Sequence, residues 1–184
     1  ANFSAVLSEN GAKVVGFDRD GRVIKEAQRR DPLGDYRVYR GLLAESLAGR
    51  KADIIIATFS FCLIPDTELC YILRDMRMVL SQEGQLLVLE PNQEKAHGVE
   101  FSNLHYHHKE GVQSGDLVQV TLGSGENTIL LTDDIYRTYS DYRLLLEEAG
   151  FVIEQMIEPR PDEAWGDEWE LERKYPPFLL ITAR

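Results

Sequence analysis

The sequence predicts an α/β domain, doubly wound around a mostly parallel sheet and carrying a small β-hairpin insertion. Three observations predict it. Apolar runs of strand length alternate with segments of helical period along the chain. Two of these runs, Ala52 to Thr58 and Gln85 to Leu89, are continuous enough to be buried on both faces, as central parallel strands are. Between those two lies a strongly periodic helix, so strand, helix and strand make a crossover and hence a parallel pair. The length of 184 residues fits a single domain, 1–184, since a chain of this size buries roughly 70% of its unfolded surface.

The elements follow in order. Phe3 to Leu7 is apolar at helical spacing, with Gly11 where a left-handed C-cap residue belongs. Lys13 to Phe17 reads as a short buried strand ending at Asp18. Arg22 to Arg30 is helix-forming, with Val23, Ile24 and Ala27 on one side, and Pro32 and Gly34 stop it. Tyr36 to Arg40 alternates like an edge strand, and Ala52 to Thr58 is the first central one. Asp66 after Pro65 is placed to cap a helix whose apolar stripe is Leu69, Ile72, Leu73, Met76, Val79 and Leu80. Glu83-Gly84 closes it before the strand Gln85 to Leu89, which runs into Glu90-Pro91-Asn92.

After Asn92 the rhythm breaks. Residues 93–131 form an insertion: a polar stretch holding His97, His105, His107 and His108, then a hairpin of Leu117 to Leu122 and Thr128 to Leu131 around Gly123 to Asn127. A helix capped by Thr138 or Ser140 runs to Ala149 and is closed by Gly150. Phe151 to Ile157 is a strand, Asp162 to Lys174 a charged loop carrying both tryptophans, and Phe178 to Thr182 the last strand.

Composition excludes several functions. Lys and Arg number 20 against 31 Asp and Glu, a formal net charge of −11, whereas duplex nucleic acid and anionic membranes both demand clustered cations. No apolar run approaches a membrane span, and no leader-like block opens the chain. Two cysteines in apolar surroundings, Cys62 and Cys70, fit a reduced, cytoplasmic protein without a disulfide framework. Neither a GxGxxG nor a P-loop run occurs, which disfavours a self-contained nicotinamide dehydrogenase or a P-loop enzyme.

Among single residues, Asp18 carries the most chemistry. A carboxylate at the C-terminal tip of a parallel strand lies where doubly wound folds bind ligands, and it can accept both hydroxyls of a ribose. The plainer reading makes Asp18 to Gly21 a turn with an N-cap. The cluster His105-Tyr106-His107-His108 has no Cys partner and no HExxH, so no metal site is expected. A histidine there suits a loop facing substrate or a general base near neutral pH. Cys62, between Phe61 and Leu63, reads as a buried, inert thiol. Asp162 to Glu172 reads as a solvated acidic loop, its two tryptophans leaving room for an interface or a lid.

The order of these pieces resembles the class I S-adenosylmethionine-dependent methyltransferases, in their small-molecule branch. Ala12 to Asp18 is similar to that family's second strand and its terminal acid. Ala52 to Asp66 is similar to the fourth strand and the loop after it. Val79 to Asn92 matches a run of leader helix, VL-x-x-x-G and fifth strand. Glu148-Ala149-Gly150-Phe151 and Phe178 to Arg184 resemble the last helix and the antiparallel end strands. The likeness spans the chain except for roughly residues 93–131. It implies a Rossmann-like sheet in the order 3-2-1-4-5-7-6 and S-adenosylmethionine as cofactor. The implied cofactor residues are Asp18 and Arg19, then Gly41, Leu42 and Leu43, then Thr58, Phe59 and Ser60. The implied reaction is direct methyl transfer to a small-molecule acceptor whose specificity lies in the insertion. A general base is needed only for a protonated acceptor. His105, His107, His108, Tyr106 and Tyr139 are candidates, and His105 and His108 are the expected catalytic residues.

Two departures qualify the resemblance. The family's first strand and glycine-rich loop belong before Phe3, so an upstream segment is expected; without it buried backbone groups go unpaired at about 1–3 kcal/mol each. And Leu42 stands where the family usually has an acid for the adenine amino group. The alternative function is therefore a catalytically inactive methyltransferase-like module that binds a ligand or partner. Neither the acceptor nor the oligomeric state follows from the sequence.

Overall fold

The computed structural model describes residues 2–101, 103–123 and 130–184. The chain forms two compact units, Ala1–Ala48 and Gly49–Arg184.

In the first unit, helix α1 (Asn2–Glu9) precedes strand β1 (Val15–Asp18), helix α2 (Gly21–Arg30), strand β2 (Asp35–Val38) and the single turn α3 (Leu43–Ser46). β1 and β2 are parallel, in register from Val15 with Asp35 to Asp18 with Val38. Asp20 caps α2 by accepting the Arg22 N–H at 2.8 Å. The core is Ile24 and Ala27 of α2 against Tyr36. Gly16 is needed for that packing, because a Cβ there would sit 2.5 Å from the Tyr36 ring. Asp31 is buried and accepts hydroxyl hydrogen bonds from Tyr36 and Ser8, each at 2.7 Å, which ties α1, α2 and β2 together.

In the second unit, β3 (Ala52–Thr58), α4 (Asp66–Val79) and β4 (Leu80–Pro91) make the expected crossover, with β3 and β4 parallel. β9 (Phe178–Ala183) runs antiparallel to both β4 and β8 (Ile153–Ile157), so the sheet order is β3-β4-β9-β8. Leu69 and Leu73 of α4, together with Tyr142, Leu145 and Leu146 of α6 (Tyr139–Glu148), cover the sheet residues Leu86, Val88, Leu179 and Ile181. Thr138 caps α6 in a reciprocal capping box with Asp141. β3 is the edge strand, and its Ile54 is 57% exposed. Among the described residues β1 pairs only with β2 and β3 only with β4.

Several boundaries differ from expectation: β1 spans Val15–Asp18 instead of Lys13 to Phe17, β2 stops at Val38 instead of Arg40, and β8 starts at Ile153 instead of Phe151. α4 stops at Val79, because Leu80 already pairs with Ala52; the stretch expected to be a turn at Glu83-Gly84 becomes the irregular start of a twelve-residue strand. Asp66 is the first residue of α4 rather than its cap, its carboxylate being drawn to Arg137. The insertion holds three strands: β5 (Leu104–Tyr106) adds to β6 (Leu117–Leu122) and β7 (Leu130–Ile135). β7 continues beyond the expected Leu131, and the hairpin turn, residues 124–129, lies outside the described residues. A short helix α5 (Gln93–Ala96) precedes these strands, and Ala96, Phe101, Tyr106 and Val120 form their core. The charged segment after β8 folds into two 3₁₀ turns, Glu163–Trp165 and Asp167–Trp169, and a helix α7 (Glu170–Lys174). No helix among the described residues is long and apolar enough to cross a membrane.

Candidate functional site

The second unit gathers its distinctive chemistry where the parallel strands end. Phe59 follows β3 with φ +49° and donates its N–H to the Leu89 carbonyl at 2.8 Å. A bulky residue in that conformation is strained by about 1–3 kcal/mol, so the surroundings must hold it. They do so through Glu90, the fully buried acid at the end of β4. One of its oxygens accepts the N–H groups of Ser60 and Phe61, both at 2.9 Å, and the other accepts that of Cys62 at 3.0 Å. Burial pushes the Glu90 carboxyl upward, while the three N–H donors pull the other way. Phe59 itself is 44% exposed and meets the Phe178 ring edge-on at 5.4 Å.

A second clamp reaches the same loop from the segment between β7 and α6. Arg137, 1% exposed, donates to the carbonyls of Phe61 (2.6 Å) and Ile64 and to the Asp66 carboxylate (2.8 and 2.6 Å). Its own N–H reaches the Gln93 side-chain oxygen at 2.9 Å. Tyr139 donates its hydroxyl to Glu158, and the Asn92 amide donates to the Tyr139 oxygen at 3.0 Å and to Glu158 at 3.4 Å. A cleft of about 360 Å³ opens beside the first turn of α4, lined by Pro65, Asp66, Thr67, Gly115, Leu117 and Ile135. The insertion therefore supplies one wall of it.

Beneath the loop lies a buried acidic group. Asp134 of β7 is 4% exposed; burial raises its carboxyl to about 6, with Asp133 adding to the rise and the Cys62 thiol opposing it. The Cys62 thiol is driven far above its ordinary range by burial and by Glu90 and Asp134, so it is no nucleophile.

The histidines are arranged in pairs. His105, in β5, and His107, just beyond its end, bring their rings to 4.0 Å between centroids with a 31° tilt, and His107 hydrogen-bonds Thr121 at 2.7 Å. His108 is exposed, with its ring 5.3 Å from His97. Tyr106, between these histidines, points inward and is 1% exposed. Among the described residues no three His, Cys, Asp or Glu side chains are arranged to hold a metal ion.

In the first unit, Asp18 ends β1 and is half-buried; one of its oxygens accepts the Asp20 N–H at 2.8 Å, so the turn reading is realised alongside the strand-tip position. Arg19 is exposed beside it. Gly41 has φ +112° with open space where a Cβ would stand, Leu42 is 46% exposed, and Leu43 is buried and can offer a ligand only its backbone. Thr58 ends β3, and Phe59 and Ser60 belong to the clamped loop that follows it in the second unit.

The roles of Glu90, Arg137 and Glu158 escaped the sequence reading. Glu90 had a signal, an acid ending an otherwise apolar strand; Arg137 and Glu158 had none.

No protein-family model and no curated protein matches the chain. Solved structures do. A Listeria monocytogenes protein assigned as an S-adenosylmethionine-dependent methyltransferase superposes with a TM-score of 0.69 at 20% identity, over 98% of this chain and 83% of its own. An S-adenosylmethionine-dependent methyltransferase from Mesorhizobium loti gives 0.67 at 17% identity, over 99% and 85%. A glycopeptide N-methyltransferase complexed with S-adenosyl-L-methionine gives 0.65 at 10%, over 96% and 73%. The expected α/β architecture and its resemblance thus meet in one result: this chain has the fold of the class I S-adenosylmethionine-dependent methyltransferases.

Proposed function

We propose that the protein is an S-adenosylmethionine-dependent methyltransferase acting on a small-molecule acceptor by direct transfer. The observation that carries this is the fold likeness over nearly the whole chain, together with an acid, Asp18, ending the strand where such folds bind a ribose. One Asp18 oxygen is engaged by the Asp20 N–H and the other has no protein partner among the described residues, which suits a ligand hydroxyl. Gly41 gives a ligand close access to the backbone, and exposed Leu42 offers apolar packing where an acid is usual. In this reading Asp18 and Arg19 take the ribose end. Gly41, Leu42 and Leu43 take the base, and Thr58, Phe59 and Ser60 shape the rim.

The cofactor supplies an activated methyl group on a sulfonium, so the chain's task is alignment and exclusion of water. Glu90 and Arg137 fix the carbonyls and N–H groups of the Phe59 to Ile64 loop, and Phe59 with Phe178 gives it an apolar wall. His105 and His108 are the proposed proton acceptors for an acceptor that arrives protonated. The reading of 1–184 as one domain, with 93–131 as its acceptor-side insertion, is part of the proposal. A cytoplasmic location and a lack of nucleic-acid partners remain expectations from composition. Leu42 favours one second reading, a methyltransferase-like module that binds without turnover.

Calorimetric titration of S-adenosylmethionine into the protein tests the proposal. Saturable binding that Asp18→Ala weakens by at least tenfold is expected; no heat at millimolar cofactor would end both the enzyme reading and its cofactor site. Binding without release of S-adenosylhomocysteine across a panel of small amines, hydroxyls and carboxylates would favour the non-catalytic module.

A further inference from the structure

The stretch from Asp162 to Glu172 holds both tryptophans of the protein and six carboxylates, with no Lys or Arg among them. It is a built surface rather than a loose loop. Asp162 caps the first 3₁₀ turn by accepting the Ala164 N–H at 2.8 Å, and Arg173 donates to the Gly166 carbonyl at 2.9 Å. Arg160 donates to the Arg173 carbonyl, which secures the far end. Gly166 joins the two turns at φ +105°, where a Cβ would lie 2.3 Å from the Glu168 carboxylate. Each turn ends on a tryptophan, and the two indoles meet edge to face, 5.9 Å apart at 74°.

That arrangement leaves the indoles outside. Trp165 is 60% exposed, Trp169 38%, and Leu171 beside them 44%. Trp165, Trp169 and Leu171 together leave a contiguous aromatic and aliphatic patch on the surface, the kind of feature found at contact sites. The two nearest arginines spend their guanidinium groups on backbone carbonyls and on Glu158. Among the described residues no ion pair neutralises Glu163, Asp167, Glu168 or Glu170. Glu172, 7% exposed in the same segment, keeps one carboxylate oxygen without a hydrogen-bond partner.

The charge selects the occupant. A neutral apolar partner would strip water from the carboxylates without replacing it, and an anionic one would be repelled. Indole faces and carboxylates together favour guanidinium and ammonium groups on apolar stems. The rings stand open at an angle instead of enclosing a cage, which suits an extended chain better than a small ammonium ion. We propose that the Trp165–Trp169 ledge docks an arginine- and lysine-rich segment of a partner protein. The proposal is independent of the methyltransferase reading.

These are the protein's only tryptophans, so its indole fluorescence reports this surface alone. Titrating nona-arginine into the full chain should give a saturable change in that fluorescence and a matching calorimetric isotherm, weakened by added salt. Trp165→Ala and Trp169→Ala, each checked for an unchanged circular dichroism spectrum, should weaken the calorimetric affinity by about tenfold. Glu163→Gln with Glu168→Gln should do so while leaving both indoles in place. The proposal is overturned by an unchanged spectrum at millimolar peptide. It is equally overturned if the variants bind like the parent, since the peptide would then be held by the net charge of −11 alone. Displacement by tetramethylammonium at the same concentration as by peptide would point to a small-cation site and overturn it too.

Discussion

Arg137 shows how one side chain can decide the shape of a loop it does not belong to. Three backbone or carboxylate groups of the Phe61 to Asp66 stretch converge on its guanidinium, which is buried while Asp66 stays 54% exposed. The Asp66 carboxylate is thus partly solvated whatever happens to Arg137, but the Phe61 carbonyl has no such recourse. Truncation at Arg137 should cost about 2–4 kcal/mol, most of it from buried acceptors left unpaired. Lysine keeps the charge but is a point donor and cannot span three acceptors. Urea unfolding should therefore rank the parent above Arg137→Lys and Arg137→Lys above Arg137→Ala, with unchanged slopes. An Arg137→Lys protein as stable as the parent would show that charge alone holds the loop. Glu90 works on the same loop from below by the complementary means, an anion gathering three N–H groups.

At the scale of elements, β3 is the exposed flank of the second unit. Its run Ile54-Ile55-Ile56 has the composition of a strand covered on both sides, yet it lies at the sheet edge with Ile54 57% and Ile56 36% exposed. An unblunted apolar edge invites pairing with another chain. The 184-residue chain should self-associate with rising concentration, and Ile54→Lys should shift light scattering and sedimentation toward monomer. Equal association of the two proteins would place the contact elsewhere. The strand itself was legible in the sequence because an unbroken apolar run has few other uses; so were α4, α6 with its Thr138 cap, and the β3-α4-β4 crossover. Its edge position could not be read from its own residues, since hydrophobicity reports what a strand could bury and not which neighbours it has; only the resemblance, with its first strand expected upstream, pointed to an unpaired edge there. β5 was missed because His105-Tyr106-His107 alternates a buried ring with polar ones over only three residues, too short a period to read. Asp18 stood out by its place at a strand tip, and Gly41 and Leu42 entered only through the family resemblance, but the Glu90 and Arg137 clamps depend on contacts across 28 or more positions, which no local pattern records.

For the whole molecule, two opposed sets of carboxyl groups set the response to pH. Asp20, Glu26, Asp31, Asp116, Asp141 and Glu158 are held below their ordinary values by hydrogen bonds and nearby cations; burial opposes those bonds most strongly at Asp141 and Glu158. Their contribution is present above the ordinary carboxyl range and is lost as the pH falls through it. Asp134 acts the other way. Its ordinary value is 3.8 and its folded value about 6, because burial disfavours the charge. Between those limits the folded state binds the extra proton, so the stability it contributes is complete below pH 4 and is lost as pH rises through 6. Burial raises Glu90 in the same sense, and self-repulsion at a net charge of −11 adds to the loss toward neutrality. Denaturant midpoints should therefore pass through a maximum on the acid side of neutrality. Asp134→Asn isolates one cause: relative to the parent it should gain roughly 1–2 kcal/mol between pH 4 and pH 7, a shift of about two units reduced by partial screening. A constant difference between the two proteins across that range would mean that Asp134 is already ionised in the folded state and that the Cys62 thiol, not burial, governs it.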